Sequence, residues 1–112
     1  AWGRGDSTPA QPDEYENPDP QTSNEVPYLV DVQHELLDEL ATRVVIPLLT
    51  RAAMPHPAQT LNPEFEIEGR VVVLSTAELA GVPLYTLGDR AGSLAEHRDA
   101  IIRAMDMILA GL

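Results

Sequence analysis

Residues 93–112 constrain the fold more than any other stretch of this chain. Ile101, Met105, Ile108 and Leu112 recur at steps of four, three and four, and Ile102 and Leu109 widen the stripe. That is the period of an amphipathic helix laid on a core. Glu96, Asp99, Arg103, Asp106 and Ala110 form the opposite stripe. Ser93, followed three positions later by Glu96, reads as a capping box that satisfies unpaired backbone N–H groups of the first turn. The stripe runs to the apolar Leu112, so the expectation is a helix whose carboxyl end is held against the body of the protein or against a partner.

The rest of the chain must supply the surface on which this helix lies. With 112 residues there is room for one domain, and a hydrophobic content of 44% supports a real core. The net charge is −11, from 18 acidic and 7 basic residues. Direct binding to a phosphate backbone needs a basic patch that releases counterions, and no Lys/Arg cluster occurs here. Nucleic acid is therefore not expected as a direct ligand, and anionic lipid is disfavoured for the same reason. Acidity of this size favours plain solubility or a basic protein partner. The absence of cysteine excludes disulfides, thiolate metal sites and thiol nucleophiles. The polar, proline-rich amino end does not read as a signal peptide. Glu96, Arg98, Asp99, Arg103 and Asp106 exclude the closing helix as a membrane span. The expectation is a soluble, cytoplasmic protein.

Residues 1–27 differ in kind. They hold Pro9, Pro12, Pro18, Pro20 and Pro27, and six acids against the single base Arg4. Such a stretch buries too little apolar surface to offset the entropy of ordering it. It is expected to be a mostly disordered tail, with at most a weak strand near 13–17 bracketed by Pro12 and Pro18. The folded domain is expected over residues 28–112. Tyr28, Val30 and Val32 alternate as a half-wet strand. Residues 34–42 read as either a helical turn or a loop. Residues 43–49 form a continuous apolar run, a buried strand in which Pro47 suggests an edge or a bulge. Residues 52–63 are loop. Phe65 and Ile67 alternate with Glu66 and Glu68, and Glu68-Gly69 turns into the valine-rich run 70–75, which makes a hairpin. Residues 76–82 read as a connection and 84–87 as a short strand. Strands first and helix last is the α+β pattern.

Little in the chain points to catalysis. His34, His56 and His97 are scattered, with no acid at metal-ligand spacing, and read as solvated or capping side chains. Glu64, Glu66 and Glu68 read as the wet face of a strand rather than a cation site. No glycine-rich phosphate loop occurs, so neither a metal nor a cofactor is expected. Arg4-Gly5-Asp6 spells an integrin-recognition tripeptide, but three residues match often by chance. The only tryptophan is Trp2.

One resemblance spans most of the chain. It runs through Val30-Asp31-Val32-Gln33, Leu36-Leu37-Asp38, Val45-Ile46-Pro47-Leu48, Ser75-Thr76, Val82-Pro83 and His97-Arg98, and ends at Gly111-Leu112. On these residues the chain resembles the CcdB family of toxins, which poison DNA gyrase. The resemblance implies an antiparallel sheet with a smaller sheet beside it, an SH3-like barrel of the CcdB/MazF type closed by a carboxyl-terminal helix. It also implies a homodimer that acts without catalysis, wedging into the dimeric GyrA subunit of DNA gyrase and trapping the cleaved-DNA complex. An antitoxin with a disordered carboxyl-terminal segment would remove it. The positions matching the gyrase-facing surface are Leu36, Leu37, Asp106, Leu109, Ala110, Gly111 and Leu112.

Two departures bear on these expectations. The family places a tryptophan two residues before its end, stacked on an arginine of gyrase, and this chain has Ala110. The helical period turns position 110 outward, so a tryptophan there is a binding feature rather than packing. Its loss implies weakened gyrase poisoning, or a different set of contacts or target. The family also begins with an apolar-aromatic strand, where this chain has Pro12-Asp13-Glu14-Tyr15-Glu16-Asn17. Two further readings stay open. One is an endoribonuclease toxin of the MazF type, whose only candidates are Arg43, Arg51, Arg70 and Thr50, and against which the net charge argues. The other is a non-toxic relic that only binds antitoxin.

Overall fold

The computed structural model describes residues 12–33 and 42–110. The architecture is that of an α+β protein, with seven antiparallel strands and one carboxyl-terminal α-helix among the described residues. The strands are β1 (Asp13–Glu16), β2 (Tyr28–Asp31), β3 (Thr42–Thr50), β4 (Glu64–Ile67), β5 (Arg70–Leu74), β6 (Ala80–Pro83) and β7 (Arg90–Ser93). The helix, α1, spans Arg98–Ala110. The strand order is β4-β5-β3-β2-β1-β7, and β6 pairs with β3.

The apolar run in the middle of the sequence becomes β3, the strand on which the sheet is built. One edge pairs with β2, from Tyr28 opposite Leu48 to Asp31 opposite Val45. The other edge is shared: Thr42 to Val45 pair with β6, and Leu48 to Thr50 pair with β5. A smaller sheet is therefore not separate, because β3 is long enough to carry both partners on one edge.

Pro47 lies inside β3, not on an outer strand, which corrects the edge expectation. Its carbonyl accepts the Ser75 N–H at 2.9 Å. Within one strand residue N–H and C=O point to the same side. The N–H that proline lacks would thus point away from β2, toward the Ser75 carbonyl opposite it in the β5 register. That carbonyl accepts the Glu78 N–H at 2.9 Å instead, so the missing bond leaves no orphaned acceptor and the strand tolerates this residue.

Alternation then sorts the side chains. Tyr28, Val30, Ile46, Leu48, Phe65, Ile67, Val72 and Leu74 share one face and form a single apolar cluster with Leu94, Ile101 and Ala104. The helix closes that face through Ile101 (2% exposed) and Ala104 (fully buried). Ile102, at 41%, and Leu109, at 66%, stay exposed. The buried stripe is thus narrower than the periodicity suggested. It turns toward Ala104, because a small residue lets the helix approach the sheet. The helix also starts later than the Ser93–Glu96 pattern implies. Ser93 Oγ accepts the Ala95 N–H at 3.1 Å, a single 3₁₀ turn covers Ala95–His97, and α-helical geometry begins at Arg98.

The hairpin between β4 and β5 forms at the expected turn. Glu68 and Gly69 both have positive φ, 53° and 78°, the pairing that a two-residue turn matching the sheet's twist requires.

The weak strand expected near 13–17 forms at Asp13–Glu16. β1 lies inside the sheet, between β2 and β7. Its residues have poor strand propensity, but a ladder on both edges overrides that. The following segment is tied down as well. Asn17 Nδ2 donates to the Val26 carbonyl at 2.8 Å, and Thr50 N–H donates to the Glu25 carbonyl at 3.0 Å. Residues 1–11 lie outside the described part. The connections near the end also differ from expectation. Residues 84–86 form a 3₁₀ turn rather than a strand, while Ala80–Pro83 and Arg90–Ser93 are strands. Both are short and poor in strand formers, and they are strands because β3 and β1 offer them an edge.

Two stability predictions follow from this packing. A Cβ at Gly88 would stand 2.6 Å from the Glu16 carbonyl oxygen, whereas one at Gly81 would meet nothing within 4 Å. Gly88→Ala should lower the unfolding free energy by about 1–3 kcal/mol, and Gly81→Ala by less than about 0.5 kcal/mol, in urea denaturation. Ile101→Ala should cost about 2–4 kcal/mol in the same measurement, because it removes the deepest large side chain of α1.

Candidate binding surface on the carboxyl-terminal helix

With Ile101 and Ala104 turned into the core, a second stripe of α1 is left facing outward. Arg98, Ile102, Met105 and Leu109 follow one another at steps of four, three and four. At 100° per residue this stripe lies roughly a quarter turn from the buried one. It forms one wall of an open groove of about 330 Å³. The other wall is the end of β2 with the residues after it, Asp31, Val32 and Gln33, and Pro12 contributes as well.

The groove walls are held by hydrogen bonds rather than by chance contact. The Pro12 carbonyl accepts the Leu94 N–H at 2.7 Å, which ties the segment before β1 to the start of the helical region. Asp31 Oδ1 accepts the Gln33 N–H at 2.9 Å, and Gln33 Oε1 accepts the Val44 N–H at 3.0 Å. Arg43 Nε lies 3.8 Å from Asp31 Oδ2. Walls fixed in this way cost a binding partner little ordering entropy. The lining is mainly apolar, with Asp31 and Asp106 as acids and Arg98 as the base. This suits recognition by contact, with an apolar insert and polar groups at the rim.

Of the positions singled out by the resemblance, Asp106 and Leu109 are brought together on this surface. Ala110 is exposed immediately beyond them. Leu36, Leu37, Gly111 and Leu112 lie outside the described residues. Ile102 and Met105 line the groove too: Met105 also packs, partly buried, against the core cluster as the sequence period expected, whereas Ile102, assigned to the same stripe, stays exposed. Only the position of Ala104 relative to the sheet separates the two stripes, and residue type alone does not show it.

The ribonuclease candidates do not converge as a set. Arg43 and Arg51 flank opposite ends of β3, about 25 Å apart at ~3.3 Å per residue. Arg51 Nη1 donates to the Met54 and Pro55 carbonyls, and its Nε lies 3.6 Å from Glu64 Oε2. Thr50 Oγ1 accepts the Ala53 N–H at 3.2 Å. These groups hold the loop that follows β3. His97 packs on Phe65, with ring centroids 4.6 Å apart, and lies beside Glu96. His56 is exposed, and His34 lies outside the described residues. Among the described residues no three His, Asp or Glu side chains are grouped to hold a metal ion. Among the same residues no helix is long and apolar enough to cross a membrane.

Residues 11–111 match the family model described as CcdB protein. The match takes in β1 as well as the helix. The chain belongs to the CcdB family, toxins of toxin–antitoxin pairs.

Proposed function

We propose that this chain binds the GyrA subunit of DNA gyrase as a homodimer and traps the enzyme on cleaved DNA, making and breaking no covalent bond of its own. The contact surface is the outward stripe and end of α1: Asp106, Leu109 and Ala110, with Leu36, Leu37, Gly111 and Leu112. The observation that carries this reading is the 66% exposure of Leu109 beside Asp106, at the rim of an apolar groove with hydrogen-bonded walls. A large apolar side chain left in water next to a preformed groove is typical of a docking surface. Family membership supplies the target class, and the strong negative charge accords with a protein partner rather than nucleic acid. In this reading the protein works in the cytoplasm, and an antitoxin with a disordered carboxyl-terminal segment removes it.

Ala110 weakens the contact. An interface tryptophan contributes about 2 kcal/mol or more when it is a hot spot, and ~2 kcal/mol is about thirtyfold in affinity. Ala110→Trp should therefore tighten binding to purified GyrA by about thirtyfold in a calorimetric or surface-binding titration. Leu109→Asp should weaken it. No gain from Ala110→Trp would mean that these positions do not face gyrase.

A further inference from the structure

β1 carries the only buried carboxylate among the described residues. Glu14 is 4% exposed. It stands opposite Val30 of β2, which is fully buried, and opposite Gly92 of β7. Glycine makes the room: a Cβ at position 92 would stand 3.3 Å from both Cδ and Oε2 of Glu14. Among the described residues no hydrogen-bond donor serves this carboxylate. The two nearby candidates are committed elsewhere. Tyr28 on β2 donates its hydroxyl to Glu68 Oε1 at 2.9 Å. Arg90 on β7 donates to Asp13 Oδ1 at 3.3 Å. The charged groups facing Glu14 are thus Glu68 at the β4–β5 turn, Arg90 on β7 and Asp13 on its own strand, two acids against one base.

The ladder is also irregular at this point. The register between β1 and β7 shifts between Glu14 and Tyr15. Beyond the shift, the seam is held by Glu16 N–H to the Asp89 carbonyl and Gly88 N–H to the Glu16 carbonyl, both 2.9 Å, and before it by Leu94 N–H to the Pro12 carbonyl. That last bond anchors a groove wall to the segment leading into α1.

We propose that Glu14 is a proton-operated latch on the seam between β1 and β7, closed when the carboxyl is neutral and loosened when it is charged. An ionised carboxylate without a donor is costly to bury, and the neutral acid is far less so. Burial first, and the charge of Glu68 second, push the Glu14 carboxyl above its ordinary value, against the opposing pull of Arg90. The sign follows from linkage. A carboxyl raised in the native state carries no penalty below the unfolded carboxyl value. The penalty grows as pH rises from the unfolded value toward the native one and is complete once the native value is passed. Acidification from neutral pH therefore tightens the seam, and with it the Pro12 wall of the groove.

Hydrogen exchange on the full chain tests this, read at the Glu16, Gly88 and Leu94 amides and corrected for intrinsic exchange rates. Between about pH 7.5 and about pH 5, protection in the wild type should rise on acidification. Glu14→Gln should be well protected at both values, and Glu68→Gln should show a smaller rise than the wild type. A Glu14→Gln protein with the same pH dependence as the wild type would overturn the proposal. Should that variant fail to fold, the wild-type Glu14 carboxyl can be titrated by carbon NMR. A midpoint in the ordinary glutamate range overturns the latch, and one clearly above it supports it.

Discussion

The structure depends on one strand having three partners. β3 gives a whole edge to β2 and divides the other between β6 and β5. The division falls at Pro47, whose carbonyl is used by Ser75 and whose nitrogen has no proton to leave unsatisfied. A residue with an N–H at this position would compete with the Glu78 N–H for the Ser75 carbonyl, which the turn after β5 already uses, and an unpaired buried donor is costly. Proline here marks the point at which the sheet changes partner. The shared strand is also what joins the hairpin of β4 and β5 to the strands on the amino-terminal side, so one apolar face extends from Phe65 to Leu94.

That continuous face decides how α1 lies. Ile101 and Ala104 go in, and the small Ala104 lets the helix settle close to the sheet. Once that is settled, the helical period leaves Ile102 and Leu109 outside. They face a wall that the fold has already fixed through Pro12, Asp31 and Gln33. The exposed surface is thus a consequence of how the core is filled. A surface built this way offers shape and apolar area, and among the described residues no three His, Asp or Glu side chains are grouped to hold a metal ion. In the proposed function this surface serves as a contact that holds a partner in one state.

How much of this the sequence shows depends on the element. The helix, the hairpin turn at Glu68-Gly69 and the strand at Tyr28 were legible because each has a strong local signal: a sustained period, a turn dipeptide or a clear alternation. β6 and β7 were not, and β1 was legible only as a weak strand near 13–17. Asp13–Glu16, Ala80–Pro83 and Arg90–Ser93 are poor strand formers, and only the edges of their neighbours make them strands. The same difficulty affects the site. Asp106 and Leu109 could be singled out by resemblance, but the exposed Ile102 looks like core in any one-dimensional reading. Which apolar stripe is buried is decided by contact with the sheet, through Ala104, and the period alone does not contain that information.

The central claim is that the outward stripe of α1 acts on gyrase by contact. The most direct measurement is a gyrase supercoiling and cleavage assay with purified protein, run alongside the Leu109→Asp variant. The account predicts that the wild-type protein makes cleaved DNA–gyrase complexes accumulate, at high concentration because of Ala110, and that the variant does so far less. Unchanged supercoiling with no accumulation of cleaved complexes at any concentration, or equal activity of the two proteins, would contradict it.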